Sequence, residues 1–296
     1  MRVFVTGATG NIGAKVVDEL IAAGHRVIGL CRSDDKAAAL AARGAEVHRG
    51  SIRDPNGLRE AIERSDGVVH LAFDHDFSRV AENCETDRRV IAALGAMLAG
   101  SDRPLIVTSG TPIANTVPGR PALEDNPIVG SDHNPRAASE EAAAALAGVN
   151  VSVVRLPQVH DTISQGLITP MIAMFRENGV CAQIGDGSNR WPATHVLDVA
   201  RLYRLALEKA APNAKYHAVA EEGIAMREIV EAIARRLDLP VRSISPEEAP
   251  ACFGWLAMFA GHDMPALSEQ TRERLGWRPT GPGLIADLAS LTVSGG

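Results

Sequence analysis

Short apolar runs alternate with Ala- and Leu-rich stretches along the first half of the chain. The apolar runs have the length and composition of buried strands, and the stretches between them have the apolar spacing of helices. The predicted strands are 2–6, 26–30, 45–48, 67–71, 104–109 and 150–155, and the predicted helices are 14–23, 36–43, 55–64, 78–99 and 135–147. This alternation predicts an α/β protein with a doubly wound parallel sheet and helices on both faces. Asp54 is expected to cap the third helix, with Pro55 at its first position.

The first predicted strand runs directly into three glycines. Gly7 permits a sharp turn, Gly10 lets a pyrophosphate approach the backbone, and Gly13 lets the next helix pack closely on the sheet. The N-terminus of that helix would then face the phosphates. The pattern predicts a dinucleotide-binding turn of the Rossmann type. Its expected contact residues are Thr6, Gly7, Thr9, Gly10, Asn11, Ile12 and Gly13.

The alternation weakens after Pro157, which indicates a change of organisation. We expect residues 1–157 to form the dinucleotide-binding domain, with 196–220 returning to it. Residues 158–195 and 221–296 would form a smaller C-terminal substrate lobe. A Pro-, Gly-, Asn- and Asp-rich segment separates Ser109 from the helix at 135–147, and long loops of this kind are commonly functional.

Several motifs resemble the extended and atypical branches of the short-chain dehydrogenase/reductase superfamily, including proteins like the NAD-dependent epimerases and dehydratases. They are TGxxGxxG at 6–13, VVHLA at 68–72, LIVTSG at 105–110, VSVVRLPQV at 151–159, THVLDVA at 194–200 and LGWxP at 275–279. The resemblance implies a nicotinamide dinucleotide. It also implies that His70, Leu71 and Ala72 run beneath the cofactor, and we count Leu156 and Pro157 among its contacts.

The residues at the end of the second strand indicate whether the dinucleotide is NAD(H) or NADP(H). An acidic residue there would bind the ribose 2′-OH, whereas Arg would pair with a 2′-phosphate. The strand ends in Cys31, Arg32 and Ser33, which favours NADP(H). The alternative is that Arg32 is an ordinary solvated side chain. In the loop after the third strand, Ser51 takes the place of the Asp that contacts adenine in such families, and we include Ile52 in that contact.

The catalytic pattern of the superfamily is missing. Its chemistry uses a Tyr and a Lys four residues later, and the chain contains no YxxxK. The two tyrosines, Tyr203 and Tyr216, do not lie in the expected segment. Aligning the downstream Glu of the family with Glu140 sets Arg136 where the Lys would be and Asp132 where the Tyr would be. Arg136 could bind the nicotinamide ribose, but its high pKa prevents it from relaying a proton.

Three other side chains are candidates for the catalytic chemistry. Ser109 and Thr111 would point to the same side if the fifth strand continues that far, and either could hydrogen-bond a substrate carbonyl. The alternative is that these hydroxyls satisfy loop backbone. His133 is the candidate replacement acid because imidazole titrates near neutral pH, and an exposed loop histidine is its alternative.

The substrate side is predicted from aromatic and polar residues. The segment HLAFDHDF does not have distinctive metal-ligand spacing, so we expect it to line a cleft and not to bind metal. The segment CFGWLAMF would be a pocket wall, lobe core or a dimer contact. His195 and Asp198 are expected to dock the lobe on the sheet. The candidate substrate-binding residues are Phe73, Asp74, His160, Trp191, Phe253 and Trp255.

Composition restricts the class of partner. The chain has 296 residues, is 46% hydrophobic and 22% charged, and has a net charge of -6. An acidic balance argues against nucleic acid as a partner, and no apolar run is long enough to span a membrane. Met1 leads directly into the first strand and the four cysteines are dispersed, so we expect no export signal, no disulfide framework and a cytoplasmic protein. A small-molecule substrate is expected. By resemblance, the helices at 78–99 and 135–147 suggest a homodimer.

These observations favour an NADPH-dependent reductase of a small, fairly apolar carbonyl compound. Ser109 or Thr111 would hold the developing oxyanion, and His133 or ordered water would supply the proton. Two alternatives stay open. One is a non-catalytic NADP-binding redox sensor like the NmrA-like relatives, and the other is a nucleotide-sugar epimerase or dehydratase. The missing Tyr counts most heavily against the second alternative.

Overall fold

The computed structural model describes residues 1–292, and the last four residues of the predicted lobe, 293–296, lie outside that range. The twelve strands are β1 Arg2–Thr6, β2 Arg26–Cys31, β3 Glu46–Arg49, β4 Gly67–His70, β5 Leu105–Gly110, β6 Val151–Leu156, β7 Gln158–His160, β8 Cys181–Ile184, β9 Arg190–His195, β10 Lys215–His217, β11 Glu221–Ala225 and β12 Val241–Ile244. Seven of them form a parallel sheet in the order β10-β6-β5-β4-β1-β2-β3. The predicted doubly wound α/β fold is therefore confirmed.

Helices cover both faces of this sheet. The helices of the described residues, including those of the second region, are α1 Asn11–Ala22, α2 Asp34–Ala42, α3 Arg59–Glu63, α4 Val80–Leu98, α5 Ala138–Ala144, α6 Ile168–Asn178, α7 Val196–Lys209, α8 Met226–Leu237, α9 Ala249–Phe253, α10 Ala257–Ala260, α11 Glu269–Leu275 and α12 Leu284–Ala289. A 3-10 turn at Pro55–Leu58 precedes α3, and the Asp54 carboxylate accepts the Gly57 N–H there. The predicted cap is therefore confirmed. Similar turns at Phe77–Arg79 and Pro135–Ala137 precede α4 and α5.

The two faces of the sheet carry separate apolar cores. Val5 and Ile106 point toward α1 and α7, whose side chains complete one core. Phe4 and Val107, one residue away on the same two strands, point toward α3, α4 and α5 and belong to the other. This division follows from the two-residue period of strand side chains. Both faces of the sheet are buried, as parallel sheets require.

A second region packs around its own apolar core. Strands β7, β9 and β11 form a three-stranded sheet, and β8 pairs with β12. Side chains of α6, α8, α9 and α12 fill the core beneath them. Strand β6 reaches this region directly, because only Pro157 separates β6 from β7. Within residues 1–292, no helix is long and apolar enough to cross a membrane.

Strands β1 and β4 lie side by side at the point where the strand order reverses. Thr6, the last residue of β1, is in register with His70, the last residue of β4. Ligands of doubly wound sheets bind outside the carboxyl ends of the strands at such a point. The glycine turn after β1 and the loop after β4 are therefore positioned at the expected ligand edge.

Candidate functional site

The glycine turn has the geometry that its sequence predicts. Gly7 has a φ of +67°, and a Cβ at this position would lie 2.8 Å from the backbone nitrogen of Ala72. A Cβ on Gly13 would lie 2.0 Å from the carbonyl oxygen of Gly7, so helix α1 can pack here only without a side chain. A Cβ on Gly10 would meet nothing closer than that oxygen, at 3.3 Å. The space beside Gly10 is therefore empty. No neighbouring part of the described fold requires a glycine at this position.

The N-terminus of α1 is available to an anion. Gly10 is its N-cap, and no side chain caps the helix. Gly10 and Asn11 are exposed, while Thr9 and Ile12 are half-buried. Uncapped N–H groups at the positive end of a helix form an anion site. The turn therefore fits a dinucleotide pyrophosphate, with backbone groups of this segment as its contacts.

Thr6 supports the turn from below and does not face a ligand. Its side chain is fully buried, and its Oγ1 accepts the N–H groups of Leu71 and Ala72, both at 3.1 Å. The Thr6 hydroxyl proton is then directed to Nδ1 of His70, 2.8 Å away. The predicted contact of Thr6 with a cofactor stays a prediction for its backbone, because its side chain supports the turn from within the protein.

His70 continues this chain of hydrogen bonds into the protein. Its Nε2 lies 2.9 Å from Oδ1 of Asp87 on α4. Because Nδ1 accepts the Thr6 proton, Nε2 carries the ring proton and donates it to the carboxylate. Burial raises the pKa of Asp87, but the contacts with His70, Arg136 and Ser139 outweigh it and hold that pKa below its usual range. Asp87 is therefore a buried carboxylate that stays ionised.

Arg136 is held at the end of this network. Its Nη1 lies 3.2 Å from Oδ2 of Asp87 and also contacts the Ser139 hydroxyl. Its Nη2 donates to the carbonyl oxygen of Thr108 on β5 at 2.8 Å. The guanidinium carbon lies 4.4 Å from the centre of the Phe73 ring. The side chain is 23% exposed, so these contacts hold a cation at the carboxyl end of the sheet with one side open.

Ser109 lies one residue beyond the carbonyl that Arg136 holds. Its Oγ is buried and has no hydrogen-bond partner among the described residues. Strand β5 ends at Gly110, and Thr111 begins a 3-10 turn. The strand therefore does not continue to Thr111, so the condition for placing Thr111 on the same side as Ser109 is not met. Thr111 is buried, with Oγ1 3.5 Å from the Leu156 carbonyl oxygen, next to Pro157.

Neither tyrosine can replace the missing acid in this arrangement. Tyr203 lies on α7, across the sheet from α4, with its hydroxyl 2.8 Å from Oγ1 of Thr108. Burial raises the pKa of Tyr203, so the phenol stays protonated. Tyr216 is fully buried on β10, at the edge of the sheet. Tyr203 is therefore connected to Arg136 only through Thr108, which contacts both side chains.

His133 lies on an exposed turn before α5. Its side chain is 77% exposed, and its Nδ1 is 2.9 Å from Oδ1 of Asp132. The contact with His133 lowers the pKa of Asp132. Neither side chain contacts Asp87 or Arg136 in the described structure. The role of His133 as an acid stays a prediction, and the pair with Asp132 leaves its Nε2 accessible.

The loops after β2 and β3 form the edge predicted to hold the adenosine end. Arg32 and Ser33 are exposed, and neither side chain bonds to another described residue. Ser51 and Ile52 are half-buried, and Ser51 Oγ accepts the N–H of Arg53 at 3.2 Å. Arg32 is therefore an available cation beside a hydroxyl, which is the arrangement that a 2′-phosphate would use.

The six predicted substrate residues divide into two groups. Phe73 and Asp74 lie on the loop after β4, where Asp74 pairs with Arg53 at 3.1 Å, and Trp255 is exposed on the lobe. The other three are buried and offer no surface to a substrate, so they are removed from the candidate site. His160 contacts Asp287, Trp191 donates to the His262 carbonyl, and Phe253 packs on Phe175.

Asp87 and Ser139 are site residues that the sequence patterns did not predict. The sequence contains a pattern that could have identified Asp87. Asp87 occupies a position of α4 at which the helical pattern is otherwise apolar, as at Val90, Ile91 and Leu94. A carboxylate at a core position of a helix requires a partner. Ser139 carries no comparable signal, because only its contacts with Asp87 and Arg136 identify it.

Comparisons with known proteins agree with this geometry. The model of the NAD dependent epimerase/dehydratase family matches residues 3–220. An uncharacterised protein of Schizosaccharomyces pombe is 45% identical over 300 residues, covering 98% of this chain and 99% of its own length. One of Saccharomyces cerevisiae is 39% identical over 293 residues, covering 97% and 98%.

A solved structure shows the same fold. A dTDP-glucose 4,6-dehydratase from Streptomyces venezuelae, with NAD bound, superimposes with a TM-score of 0.78 at 21% identity. The match covers 98% of this chain and 95% of the dehydratase. From the glycine turn, the sheet order and the family match, the chain belongs to the NAD dependent epimerase/dehydratase family of extended short-chain dehydrogenases/reductases.

Proposed function

We propose that this protein is an NADPH-dependent reductase of small, fairly apolar carbonyl compounds. The open face of Gly10 and the uncapped α1 fit a pyrophosphate. Arg32 and Ser33 would bind the 2′-phosphate, and Arg136 would bind the nicotinamide ribose. A bound nicotinamide would supply hydride from its C4 position. The family membership supports a nicotinamide dinucleotide, and the choice of NADPH rests on Arg32.

The unpartnered hydroxyl of Ser109 is the observation that carries the proposal. A buried polar group without a partner is unusual in a folded protein. Here it lies at the carboxyl end of β5, beside the Thr108 carbonyl that Arg136 holds. A substrate carbonyl oxygen would complete its hydrogen bonding, and the hydroxyl would donate as negative charge develops on that oxygen.

Arg136 and His133 would divide the roles that Lys and Tyr have elsewhere in the superfamily. Arg136 stays charged and is held by Asp87, so it orients and binds. His133 supplies the proton, with Asp132 holding its Nδ1 so that Nε2 faces outward. Replacing His133 with Ala should lower turnover and leave the affinity for NADPH unchanged. The exposed His262 on the lobe serves as control, and unchanged turnover would remove His133 from the mechanism.

The direct test combines binding with turnover. NADPH and NADH are titrated by fluorescence, and loss of absorbance by NADPH is followed across a panel of ketones and aldehydes. Ser109→Ala should lower kcat/KM by about a hundredfold, the usual effect of losing one oxyanion donor. Ser152→Ala is the matched control, because the Ser152 hydroxyl on β6 is also buried without a partner but lies at the other end of the sheet.

A regulatory NADP-binding protein is the second candidate function. The missing Tyr and the fixed position of Arg136 favour it, because a guanidinium cannot relay protons. Tight NADPH binding without turnover of any carbonyl would support this candidate and contradict the reductase. Turnover that falls in Ser109→Ala but not in Ser152→Ala would support the reductase. Pairing of two copies through α4 and α5 stays a prediction, which sedimentation velocity would check.

A further inference from the structure

All aromatic side chains that are not buried lie in one place. The chain has six Phe, three Trp and two Tyr. Seven of these are buried in the cores, namely Phe4, Phe175, Phe253, Trp191, Trp277, Tyr203 and Tyr216. The other four lie together with one imidazole, and we call this group the aromatic cluster: Phe73, His75, Phe77, Trp255 and Phe259.

The aromatic cluster joins two distant parts of the chain. Phe77, in the turn after β4, stacks on Trp255 of the lobe, with ring centres 4.2 Å apart and planes inclined by 9°. Phe259 meets Phe77 edge-on at 6.3 Å. His75 lies 6.2 Å from Phe77 and 5.2 Å from Phe73. The rings therefore form a continuous path from the loop after β4 to the segment around α9 and α10.

One end of this path is the candidate site. Phe73 lies beneath the Arg136 guanidinium, at 4.4 Å from ring centre to guanidinium carbon. The other end reaches solvent, since Trp255 is 37% exposed. Neighbouring side chains that exclude water from the ring, together with the nearby Arg136, lower the pKa of His75 against the opposing effects of the Phe73 carbonyl and the Asp74 and Asp87 carboxylates.

Aromatic faces beside a site select for a particular kind of ligand. Ligand sites are lined mainly by apolar and aromatic side chains with a few polar groups that fix orientation. Stacked or edge-to-face ring pairs contribute about 0.5–1.5 kcal/mol beyond the area that they bury. A planar conjugated ring gains this contribution at the aromatic cluster, and a puckered saturated ring of the same size does not.

We propose that the substrates are planar conjugated carbonyl compounds, such as aryl ketones and aryl aldehydes, and that the aromatic cluster binds their rings. This inference rests on the proposed reductase function. The ring would pack against the aromatic cluster, with the carbonyl directed toward Ser109. The carbonyl carbon gains hydride from NADPH and the oxygen gains one proton, which yields the alcohol and NADP⁺.

The test compares two ketones that differ in planarity but not in size. Acetophenone and cyclohexyl methyl ketone are assayed with the wild type, Trp255→Leu and Phe77→Leu. The ratio of kcat/KM for acetophenone to that for the cyclohexyl compound should fall by about twofold to tenfold in each variant, the fold-change equivalent of one aromatic pair. Met258→Leu, beside Phe259 but without a ring, is the control and should keep the wild-type ratio. An unchanged ratio in both cluster variants would overturn the proposal.

A binding measurement separates this inference from the reductase proposal. Trp191 and Trp277 are fully buried, so ligand-dependent quenching of tryptophan fluorescence reports mainly on Trp255. With NADP⁺ present, acetophenone should quench more strongly than the cyclohexyl ketone. Such quenching without any turnover would contradict the reductase and support the cluster as a binding site. Equal kcat/KM values of the wild type for the two ketones would overturn the ring-binding role. A Trp255→Leu variant that changed the sedimenting mass but neither quenching nor turnover would also overturn it.

Discussion

Nη1 of Arg136 lies 3.2 Å from Oδ2 of Asp87, so the cation at the edge of the sheet depends on a buried carboxylate 49 residues earlier in the chain. Oδ1 of the same carboxylate accepts from His70, which in turn accepts from Thr6 at the glycine turn. Four side chains on three elements and one turn are thus connected. The network links the segment predicted to bind pyrophosphate with the segment predicted to bind the nicotinamide ribose.

Replacing Asp87 with Asn should lower the free energy of unfolding by about 2 kcal/mol. The change removes the charge that compensates Arg136 and leaves a buried donor poorly paired. Urea unfolding measures the difference. The control is Glu85→Gln on the same helix, where an exposed pair with Arg88 should contribute less than about 0.5 kcal/mol. Equal losses of unfolding free energy in the two variants would mean that the pair of Asp87 and Arg136 stabilises the fold no more than an exposed pair does.

Substitution by alanine should affect stability very differently at two glycines of the turn. Gly10→Ala adds a Cβ that meets only the Gly7 carbonyl oxygen at 3.3 Å, so stability should change by less than about 1 kcal/mol. Gly13→Ala places a Cβ 2.0 Å from the same oxygen and should destabilise the protein by several times as much. Thermal unfolding measures both effects.

The same Gly10→Ala variant should bind NADPH more weakly than the wild type. Gly10→Ala should weaken NADPH binding at least about tenfold although the protein remains folded, because the added methyl group takes the space beside the pyrophosphate. A folded Gly10→Ala variant with wild-type affinity would mean that the dinucleotide does not approach this turn.

Arg32 should determine the choice between the two dinucleotides. Arg32→Ala removes charge-assisted hydrogen bonds to a 2′-phosphate, which corresponds to about a tenfold to hundredfold loss of NADPH affinity with little change for NADH. Calorimetric titration of both cofactors measures this. Lys36→Ala, one turn further along the exposed surface of α2, is the control. A parallel loss for NADPH and NADH would argue against the phosphate contact.

His217 should make stability depend on pH between about 6.5 and 4. Its Nε2 lies 3.1 Å from Nη1 of Arg155 and its Nδ1 2.8 Å from the Leu267 carbonyl oxygen. Burial and the Arg155 charge lower the pKa of His217 to about 4. The unfolded chain binds this proton first as pH falls, so the neutral form stabilises the fold above the unfolded pKa of about 6.5. That stability is lost progressively as pH falls toward 4.

The variant His217→Gln isolates this contribution. Over the same pH range, the unfolding free energy of His217→Gln should fall by about 3 kcal/mol less than that of the wild type, if the whole pKa shift of His217 contributes to stability. His133→Gln removes an exposed imidazole and should follow the wild-type curve. If His217→Gln also followed that curve, His217 would not be the buried neutral group.

Local patterns were sufficient to predict the sheet and the turn. The apolar runs match β1 to β6 to within one or two residues at each end. The glycine spacing predicted the sharp turn at Gly7, where φ is positive, and the close helix packing at Gly13. These features depend on neighbouring residues, because side-chain period and backbone freedom are properties of the local chain.

Predictions that needed distant contacts were less successful. Trp191 and Phe253 looked like pocket walls but lie in the lobe core, because apolar composition alone does not distinguish a core from a cleft. Thr111 would share a side with Ser109 only if β5 continued that far, and β5 ends at Gly110. The ion pair of Asp87 and the stack of Phe77 on Trp255 join segments that no sequence period relates.

The sequence by itself determined the doubly wound sheet, the dinucleotide turn and the absence of YxxxK, since each is written in the order and spacing of nearby residues. Only the tertiary structure decided which polar groups meet at the carboxyl edge. It brought Arg136 to Asp87 and Phe73, left the Ser109 hydroxyl unpaired, and brought the aromatic rings that are not buried together beside Arg136. Contacts of this kind depend on how helices and loops pack across the sheet, and that packing is set by the whole buried core.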